Sequence, residues 1–281
     1  MPNSERLLQT LHQARQAFLS TPGRQGRMIS LENVEDVLVA GDMHGHLENF
    51  RRILFVADLK QHPRRHLVLQ ELVHGPFRYP DGSDKSHQLL DLIAALKCQY
   101  PSRVHMLLGN HELAQWTNQW IAKAESDLNA LFRAGVEFAY AKKAEEIYQA
   151  YLDLFPVIPL AIKTSNRVFL SHSLPSASRL EQWDRGFLFR DWETKEELLP
   201  GGGVYSLVWG RDTNQDTVTR FLQKVDADWL ISGHIPGEKG FIIPNDRQII
   251  LDSMGPSAGF CLFPANRPVR HHDLVECIKL L

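Results

Sequence analysis

The first part of the chain alternates between helical and strand-like spacing of its apolar residues. Three segments repeat apolar side chains every three or four positions, the spacing typical of an amphipathic helix. These predicted helices cover residues 4–19, 47–58 and 85–98. Short unbroken apolar runs alternate with them and predict buried strands. The predicted strands cover residues 37–40, 66–71 and 103–108. Regular alternation of this kind predicts a layered α/β protein.

The second part of the chain shows a different pattern. Residues 112–155 are rich in Ala, Leu, Glu and Gln, and we predict that they form a helical insertion on the α/β core. Strands then predominate, with one helix among them and an irregular segment at 174–203. The predicted strands are 167–171, 228–232, 248–251, 259–263 and 275–281, and the predicted helix is 217–225. We expect residues 1–281 to form one domain. Its first part, residues 1–27, is predicted to be an N-terminal helical segment.

Composition excludes several classes of protein. Of the 281 residues, 43% are hydrophobic and 23% are charged, as in ordinary soluble globular proteins. The 31 basic and 33 acidic residues give a net charge of −2, so we expect neither nucleic acid nor a membrane surface as a partner. Three cysteines are too few for a disulfide framework. The N-terminal residues lack the apolar core of a secretory signal, and we predict a cytoplasmic location.

Polar residues with metal-binding side chains follow four of the predicted strands. The segments are 41–45 (GDMHG), 109–112 (GNHE), 171–173 (SHS) and 233–236 (GHIP). Ligands of open α/β sheets bind at the carboxyl ends of strands, so we expect these segments to meet. The candidate ligands are Asp42, His44, Asn110, His172 and His234. Oxygen and imidazole donors in this mixture suit Mn, Fe and Zn.

The ligand set is large enough for two metal ions. Asp42 and His44 alternate along an extended segment, so both can face one ion. Asn110, His172 and His234 are then available for a second ion. Two cations about 4 Å apart repel unless an anionic ligand lies between them. We therefore expect a carboxylate that bridges the two ions.

The motifs GDMHG, LLGNHE, FLSHS and ISGHIPG resemble those of the calcineurin-like metallophosphoesterases. Within that superfamily they are most similar to the branch of the phosphoprotein phosphatases and their bacterial relatives. The resemblance covers about residues 36–265, with 112–155 and 174–203 matched only loosely. It implies a β-sandwich flanked by helices, with a helical insertion, and a hydrolase with a dinuclear metal centre.

One motif of that branch is altered here. The branch has Gly-Asp-x-x-Asp-Arg-Gly after its second strand, and the first Asp bridges the metals. By position, Glu71 replaces that bridging residue and His74 replaces the second Asp. The arginine of the motif has no counterpart, because Gly75 and Pro76 follow His74. Two nearby carboxylates are alternative bridges. They are Asp81 and Asp84.

The resemblance also implies a mechanism and its cofactors. Two divalent or mixed-valence ions, with Mn preferred and Fe or Zn as alternatives, convert a bridging water to a hydroxide that attacks phosphorus. His111 protonates the leaving oxygen, oriented by Glu112 or His74. Asn110 and Arg211 bind the phosphate. Weaker candidates for the phosphate-binding arginine are Arg78, Arg185 and Arg190.

Three functions are compatible with these residues. The first is hydrolysis of phosphomonoesters on a phosphorylated protein or small molecule, with phosphoserine and phosphothreonine as candidate substrates. The second is hydrolysis of nucleotides or dinucleoside polyphosphates, which a panel of substrates distinguishes from the first. The third is a metal-binding scaffold that has lost catalysis, as the altered second motif suggests. The presence of all candidate ligands together with His111 favours an enzyme.

Overall fold

A computed structural model describes residues 3–123, 126–191 and 193–281. The helices are α1 (Ser4–Leu19), α2 (Leu47–Ala57), α3 (His87–Gln99), α4 (Asn110–Thr117), α5 (Leu128–Tyr140), α6 (Ala144–Leu154), α7 (Ala177–Leu180), α8 (Lys195–Leu198), α9 (Gly203–Trp209), α10 (Gln215–Val225) and α11 (His271–Glu276). The strands are β1 (Arg24–Gln25), β2 (Met28–Leu31), β3 (Asp36–Asp42), β4 (Arg65–Gln70), β5 (Val104–Leu107), β6 (Ala122–Lys123), β7 (Ser126–Asp127), β8 (Ala161–Thr164), β9 (Val168–Ser171), β10 (Trp229–Ser232), β11 (Phe241–Asn245), β12 (Gln248–Leu251), β13 (Gly259–Pro264) and β14 (Ile278–Leu280). None of these helices combines the length and the hydropathy needed to cross a lipid bilayer.

The longer strands form two mixed sheets. One has seven strands in the order β1-β2-β8-β9-β10-β12-β11, and the other has five in the order β14-β13-β3-β4-β5. The neighbours β3, β4 and β5 run parallel, as do β9, β10 and β12, so each sheet gathers several carboxyl ends at one edge. The predicted α/β class with layered sheets and flanking helices is confirmed.

Alternating side chains explain how the layers pack. Val37 and Val39 of β3 lie in a buried cluster with residues of the seven-stranded sheet, such as Ile231. Leu38 and Ala40 belong instead to the larger cluster that the helices cover. Successive residues of a strand point to opposite faces, so β3 is buried on both sides and reads as a continuous apolar run.

The two sheets are also joined next to their carboxyl ends. The Gly41 N–H donates to Ser253 Oγ at 2.8 Å, and the Ser253 N–H donates to the Asp42 carbonyl at 3.1 Å. Asp42, the last residue of β3, forms a parallel bridge with Asp252, the residue after β12. A side chain on Gly41 would collide with the backbone of Leu251, so this close approach requires glycine.

A buried ion pair fixes part of the 174–203 segment. The Arg27 side chain is 1% exposed and pairs with Glu193. Arg27 also donates to the Ile158 carbonyl from Nε at 2.8 Å and from Nη2 at 2.6 Å. The segment, predicted as irregular, includes the short helices α7 and α8.

The structure differs from the sequence prediction in several elements. The strand predicted at 275–281 is wrong in its first part, because α11 reaches Glu276 and only Ile278–Leu280 is a strand. Strands β1, β2, β8 and β11 and helix α9 were not predicted. The segment 112–155 is mostly helical, but it also carries the short hairpin β6-β7, and its residues 124–125 lie outside the described ranges.

Two stacked histidines give the fold a pH dependence. His66 Nδ1 lies 2.9 Å from Nε2 of the fully buried His105. Burial lowers the pKa of His66 to about 4 and lowers the pKa of His105 well below its ordinary value. The unfolded chain therefore binds more protons than the folded chain between about pH 6.5 and pH 4. As the pH is lowered through this range, the free energy of unfolding decreases by up to about 1.4 kcal/mol per pH unit for each histidine.

We expect His66→Gln to reduce this dependence of the unfolding free energy on pH, measured by urea denaturation. His12→Gln, on the exposed face of α1, should leave it unchanged. Equal slopes in both variants would contradict this assignment.

Candidate metal centre

The predicted ligands come together at the carboxyl ends of strands from both sheets. Asp42 ends β3, and Glu71 directly follows β4. Asn110 opens α4 three residues after β5 ends. His172 directly follows β9, and His234 lies two residues beyond β10. The rule that ligand sites form at this edge therefore locates the cluster.

Glu71 lies between two groups of potential ligand atoms. Its Oε1 is 3.1 Å from His44 Nε2 and 3.5 Å from His111 Nε2. Its Oε2 is 2.7 Å from His172 Nε2. The atoms of His44, Glu71 and His111 lie within 4.8 Å of one another, as do those of Glu71, His172 and His234. One buried carboxylate thus belongs to both groups.

Three buried polar atoms at the centre lack a hydrogen-bond partner within the described part of the chain. They are Asp42 Oδ1, Glu71 Oε2 and His234 Nε2. The other carboxylate oxygen of Asp42 accepts a hydrogen bond from the His234 N–H at 2.9 Å. Orphaned buried polar atoms are rare in folded proteins because each loses its hydration without compensation. Carboxylate oxygens and an imidazole nitrogen in these positions fit divalent cations, which the phosphoesterase motifs imply.

The charges of the centre are strongly coupled. Burial and the neighbouring Glu71 raise the pKa of Asp42 to about 7. Burial alone would raise the pKa of Glu71, but His172 and His111 hold it well below its usual range. Burial opposes protonation of His44, yet its hydrogen bond to Glu71 raises its pKa to about 9. Two carboxylates packed in one buried place need positive charge beside them, which cations provide.

The backbone is strained at the centre. Four of its residues have left-handed φ values although none is glycine. They are His44 (42°), Glu71 (46°), His74 (60°) and His234 (70°). Such conformations cost about 1–3 kcal/mol each and persist only where the surroundings enforce them. These backbone conformations turn the side chains that follow the strands toward the cluster around Glu71.

Glu112 enforces the turn that carries Glu71. Its Oε1 accepts hydrogen bonds from the N–H groups of Leu72 at 2.7 Å and Val73 at 3.2 Å. Its Oε2 accepts from the Gly109 N–H at 3.1 Å, which caps α4. Glu112 therefore holds the backbone after Glu71 and is not the residue that contacts His111.

Gly109 is needed for this packing. A Cβ built on it would lie 2.5 Å from Glu71 Oε2 and 2.7 Å from Glu112 Oε2. We expect Gly109→Ala to displace both carboxylates and to lower bound metal, measured by elemental analysis after dialysis. Gly255→Ala is the matched control, since nothing lies within 4 Å of its Cβ. Equal metal content in the two variants would rule out this role.

His74 is the side chain that contacts His111. The two Nδ1 atoms are 3.0 Å apart, and the ring centroids are 5.1 Å apart. Burial lowers the pKa of His74 to about 4. The side chain of His111 is 18% exposed, and its Nε2 faces the cluster. Of the two predicted orienting residues, His74 thus has the required position.

A cleft of about 680 Å³ opens over the cluster. One side is formed by the helical insertion through Ile121, Leu128 and Leu131. Arg211 and Arg78 also line the cleft. Arg211 is exposed to solvent, whereas Arg78 Nη1 lies 3.3 Å from Asp84.

The remaining candidates lie elsewhere. Arg185 donates to the Lys224 carbonyl at 2.9 Å, and Arg190 pairs with Glu197. Asp81 is exposed and accepts from the Ser83 hydroxyl at 2.6 Å. Asp84 is buried and accepts from the Ser86 N–H at 2.8 Å. Neither carboxylate belongs to the two ligand groups around Glu71.

Sequence reasoning missed Gln70. This residue is fully buried at the end of β4, and its Oε1 lies 3.0 Å from His172 Nδ1. Its Nε2 donates to the Ala40 carbonyl at 3.1 Å, which fixes the amide and thereby the ring of His172. A glutamine that ends an apolar strand is the signal that could have identified it.

Comparison with known proteins agrees with this geometry. The model of the calcineurin-like phosphoesterases matches residues 36–238. A probable serine/threonine-protein phosphatase of Encephalitozoon cuniculi is 25% identical over 266 residues, which cover 85% of this chain and 52% of that protein. Serine/threonine-protein phosphatase 5 of Arabidopsis thaliana is 24% identical over 278 residues, which cover 92% of this chain and 48% of that protein. The chain spans about half the length of these curated relatives.

Solved structures share the fold. A protein serine/threonine phosphatase of Saccharomyces cerevisiae matches with a TM-score of 0.68 and 16% identity, over 93% of this chain and 82% of that chain. A cold-active protein-tyrosine phosphatase of a Shewanella species matches with a TM-score of 0.60 and 14% identity, over 90% and 82%. The family model covers most of the chain, and the predicted resemblance is confirmed. The chain therefore belongs to the calcineurin-like phosphoesterase family.

Proposed function

We propose that this chain is a metal-dependent phosphatase that hydrolyses phosphomonoesters at the cluster around Glu71. The observation that carries the proposal is the position of that carboxylate between two groups of ligand atoms at the base of a cleft. His111 lies beside the same carboxylate and reaches the cleft. An acid group and a paired metal site in one cleft are the parts that phosphoester hydrolysis needs.

Six side chains would hold two divalent cations, for which we propose manganese. They are Asp42, His44, Glu71, Asn110, His172 and His234. Cations bound there would supply Lewis-acid activation of water and neutralise charge on the phosphoryl group. We propose Glu71 as the shared ligand, because it alone among the described residues belongs to both groups of ligand atoms.

Three residues would contact the substrate, namely His111, Arg211 and Asn110, whereas His74 acts through His111. His111 holds a proton at Nε2 for the leaving oxygen, and His74 fixes its ring from the opposite side. Arg211 offers an exposed guanidinium at the cleft for the phosphate oxygens. Asn110 is buried, and its Oδ1 lies 2.9 Å from His172 Nε2, which leaves its amide nitrogen for the phosphate.

Protein phosphoserine and phosphothreonine are the substrates that we propose. The support is the printed function of the relatives, which are named serine/threonine-protein phosphatases at 24–25% identity. The open cleft also leaves room for a side chain presented by a larger partner.

The proposal predicts metal-dependent turnover of a simple phosphomonoester. Protein stripped with a chelator and dialysed should not hydrolyse p-nitrophenyl phosphate, and added Mn²⁺ should restore turnover. The restored rate should saturate with Mn²⁺ at about two ions per chain. Protein that binds two ions but hydrolyses no phosphomonoester with Mn²⁺, Fe²⁺ or Zn²⁺ would refute the proposal.

A panel of substrates tests the substrate class. The Mn²⁺-loaded chain is offered phosphoserine and phosphothreonine peptides beside ATP and a dinucleoside polyphosphate. We expect the larger kcat/KM for the phosphopeptides. Preferential release of nucleotides from the dinucleoside polyphosphate would show that anhydride hydrolysis is the function instead.

A further inference from the structure

A line of hydrogen bonds leads from His111 into the helical layer. His111 Nδ1 lies 3.0 Å from His74 Nδ1, and His74 Nε2 lies 2.7 Å from Gln115 Oε1. Gln115 Nε2 then donates to Tyr148 Oη at 2.7 Å. His111 and Gln115 stand four residues apart on α4, so both face His74. Tyr148 lies on α6 of the helical insertion.

These contacts are shielded from water. His74 is 6% exposed and Gln115 is 2% exposed. The ring of Phe132 packs edge-on against His74 with centroids 6.0 Å apart. Buried polar groups must find their partners within the protein, so the amide of Gln115 and the ring of His74 hold each other in place.

The orientation of the Gln115 amide determines which group donates in each bond of this line of hydrogen bonds. Its nitrogen faces Tyr148, so its oxygen faces His74. A carbonyl oxygen only accepts, and His74 therefore carries its proton on Nε2. The Nδ1 of a neutral imidazole with that proton is an acceptor. His111 then donates from Nδ1 to His74, and as a general acid it carries a second proton on Nε2, toward the cleft.

We propose that Gln115 and Tyr148 are positioning residues for the reaction, which fix the tautomer of His74 and thereby the orientation and tautomer of His111. This inference rests on the proposed function, because it assigns the proton that leaves the protein to His111 Nε2. That nitrogen is the one that lies 3.5 Å from Glu71 Oε1 and faces the cluster. The neutral ring of His74 orients His111 without adding a negative charge beside it.

Nitrogen NMR tests, independently of turnover, which ring nitrogens of His74 and His111 carry protons. Long-range proton–nitrogen spectra of ¹⁵N-histidine-labelled, zinc-loaded protein distinguish protonated from unprotonated ring nitrogens, and zinc is diamagnetic. The variants His74→Asn and His111→Asn assign the two rings. We expect His74 to be protonated only at Nε2 and His111 to be protonated at Nδ1. The reverse pattern, with His74 protonated at Nδ1 and His111 only at Nε2, would overturn the proposal.

Removal of the Tyr148 hydroxyl, at the far end of the line of hydrogen bonds, should change the nitrogen NMR signals of His74. In Tyr148→Phe the Gln115 nitrogen loses the acceptor that it has in the observed orientation of the amide. We expect the His74 signals to move toward a mixture of the two tautomers. Signals of His74 identical to those of the unchanged protein would exclude Tyr148 from the positioning role.

Kinetics distinguish positioning from packing. Gln115→Leu removes the acceptor for His74, and we expect kcat to fall about tenfold with little change in KM. Gln115→Glu keeps an acceptor there and should recover most of kcat. Gln149→Leu is the matched control, because this glutamine of α6 is exposed and its Nε2 donates to Asp153. Equal losses in Gln115→Leu and Gln115→Glu would contradict the proposal.

The two readouts separate this inference from the proposed function. Protein with the expected tautomers but no phosphatase turnover would leave the hydrogen-bond chain intact and refute the function. An active phosphatase with the reversed tautomers would support the proposed function and refute the positioning role of Gln115 and Tyr148.

Discussion

Glu71→Ala should lower the metal content from two ions to one or none and reduce turnover at least about a thousandfold, equivalent to about 4 kcal/mol. The reason is the double position of this carboxylate, whose two oxygens lie near His44 and His172. Without it, the two ions would lack a shared anion and would repel each other. Elemental analysis and hydrolysis of p-nitrophenyl phosphate by the Mn²⁺-loaded variant measure the two effects.

Two further variants locate the bridge. Glu71→Asp keeps the charge on a shorter side chain, so we expect it to retain both ions and to change which metal gives the highest turnover. Asp81→Ala is the matched control, because that carboxylate is exposed and lies outside both ligand groups. Retention of both ions in Glu71→Ala, with their loss in Asp84→Ala, would move the bridge to Asp84.

His111→Asn should reduce kcat about 10²- to 10⁴-fold, the usual contribution of a general acid, while two ions remain bound. The side chain belongs to one of the two groups of potential ligand atoms around Glu71, but it is not one of the six proposed metal ligands. KM should change little, because Arg211 and Asn110 remain to bind the phosphate. Metal analysis of the same sample shows whether the loss lies in proton transfer or in the metal centre.

Two comparisons complete this experiment. His12→Asn, on the exposed face of α1, controls for the loss of a histidine and should leave kcat unchanged. A substrate with a good leaving group needs less help from an acid, so p-nitrophenyl phosphate should suffer less than a phosphoserine peptide. Equal turnover of His111→Asn and the unchanged protein on both substrates would remove His111 from the mechanism.

The strand-end residues were predictable because their sequence signal is local. An apolar run fixes a strand, and a polar residue at its end, such as Asp42 or His172, then has a known place in a sheet. The role of Glu71 as the bridge depended in addition on the family resemblance, and its place directly after a strand favoured it over Asp84. The fold class followed from the same alternation of helix and strand.

The supporting residues were not predictable in this way. The contact between Gln115 and Tyr148 joins positions 33 residues apart, and a glutamine in a helical segment has no pattern that marks a partner. Strand β8 has four residues and follows two prolines, so its apolar residues merge with the end of the helical segment. Helix α11 has only six residues, too few to show a helical period.

The origin of the ligands in two sheets links metal binding to folding. Asp42 and Glu71 lie at the ends of β3 and β4, whereas His172 and His234 follow strands of the other sheet. Neither sheet alone carries the complete set, so the ions should bind only after the two layers have docked. Saturating Mn²⁺ then stabilises the folded chain by mass action, by about 2.7 kcal/mol at a concentration 100 times Kd. The bound ions should therefore act as a cross-link between the two sheets, and their removal with a chelator should speed unfolding.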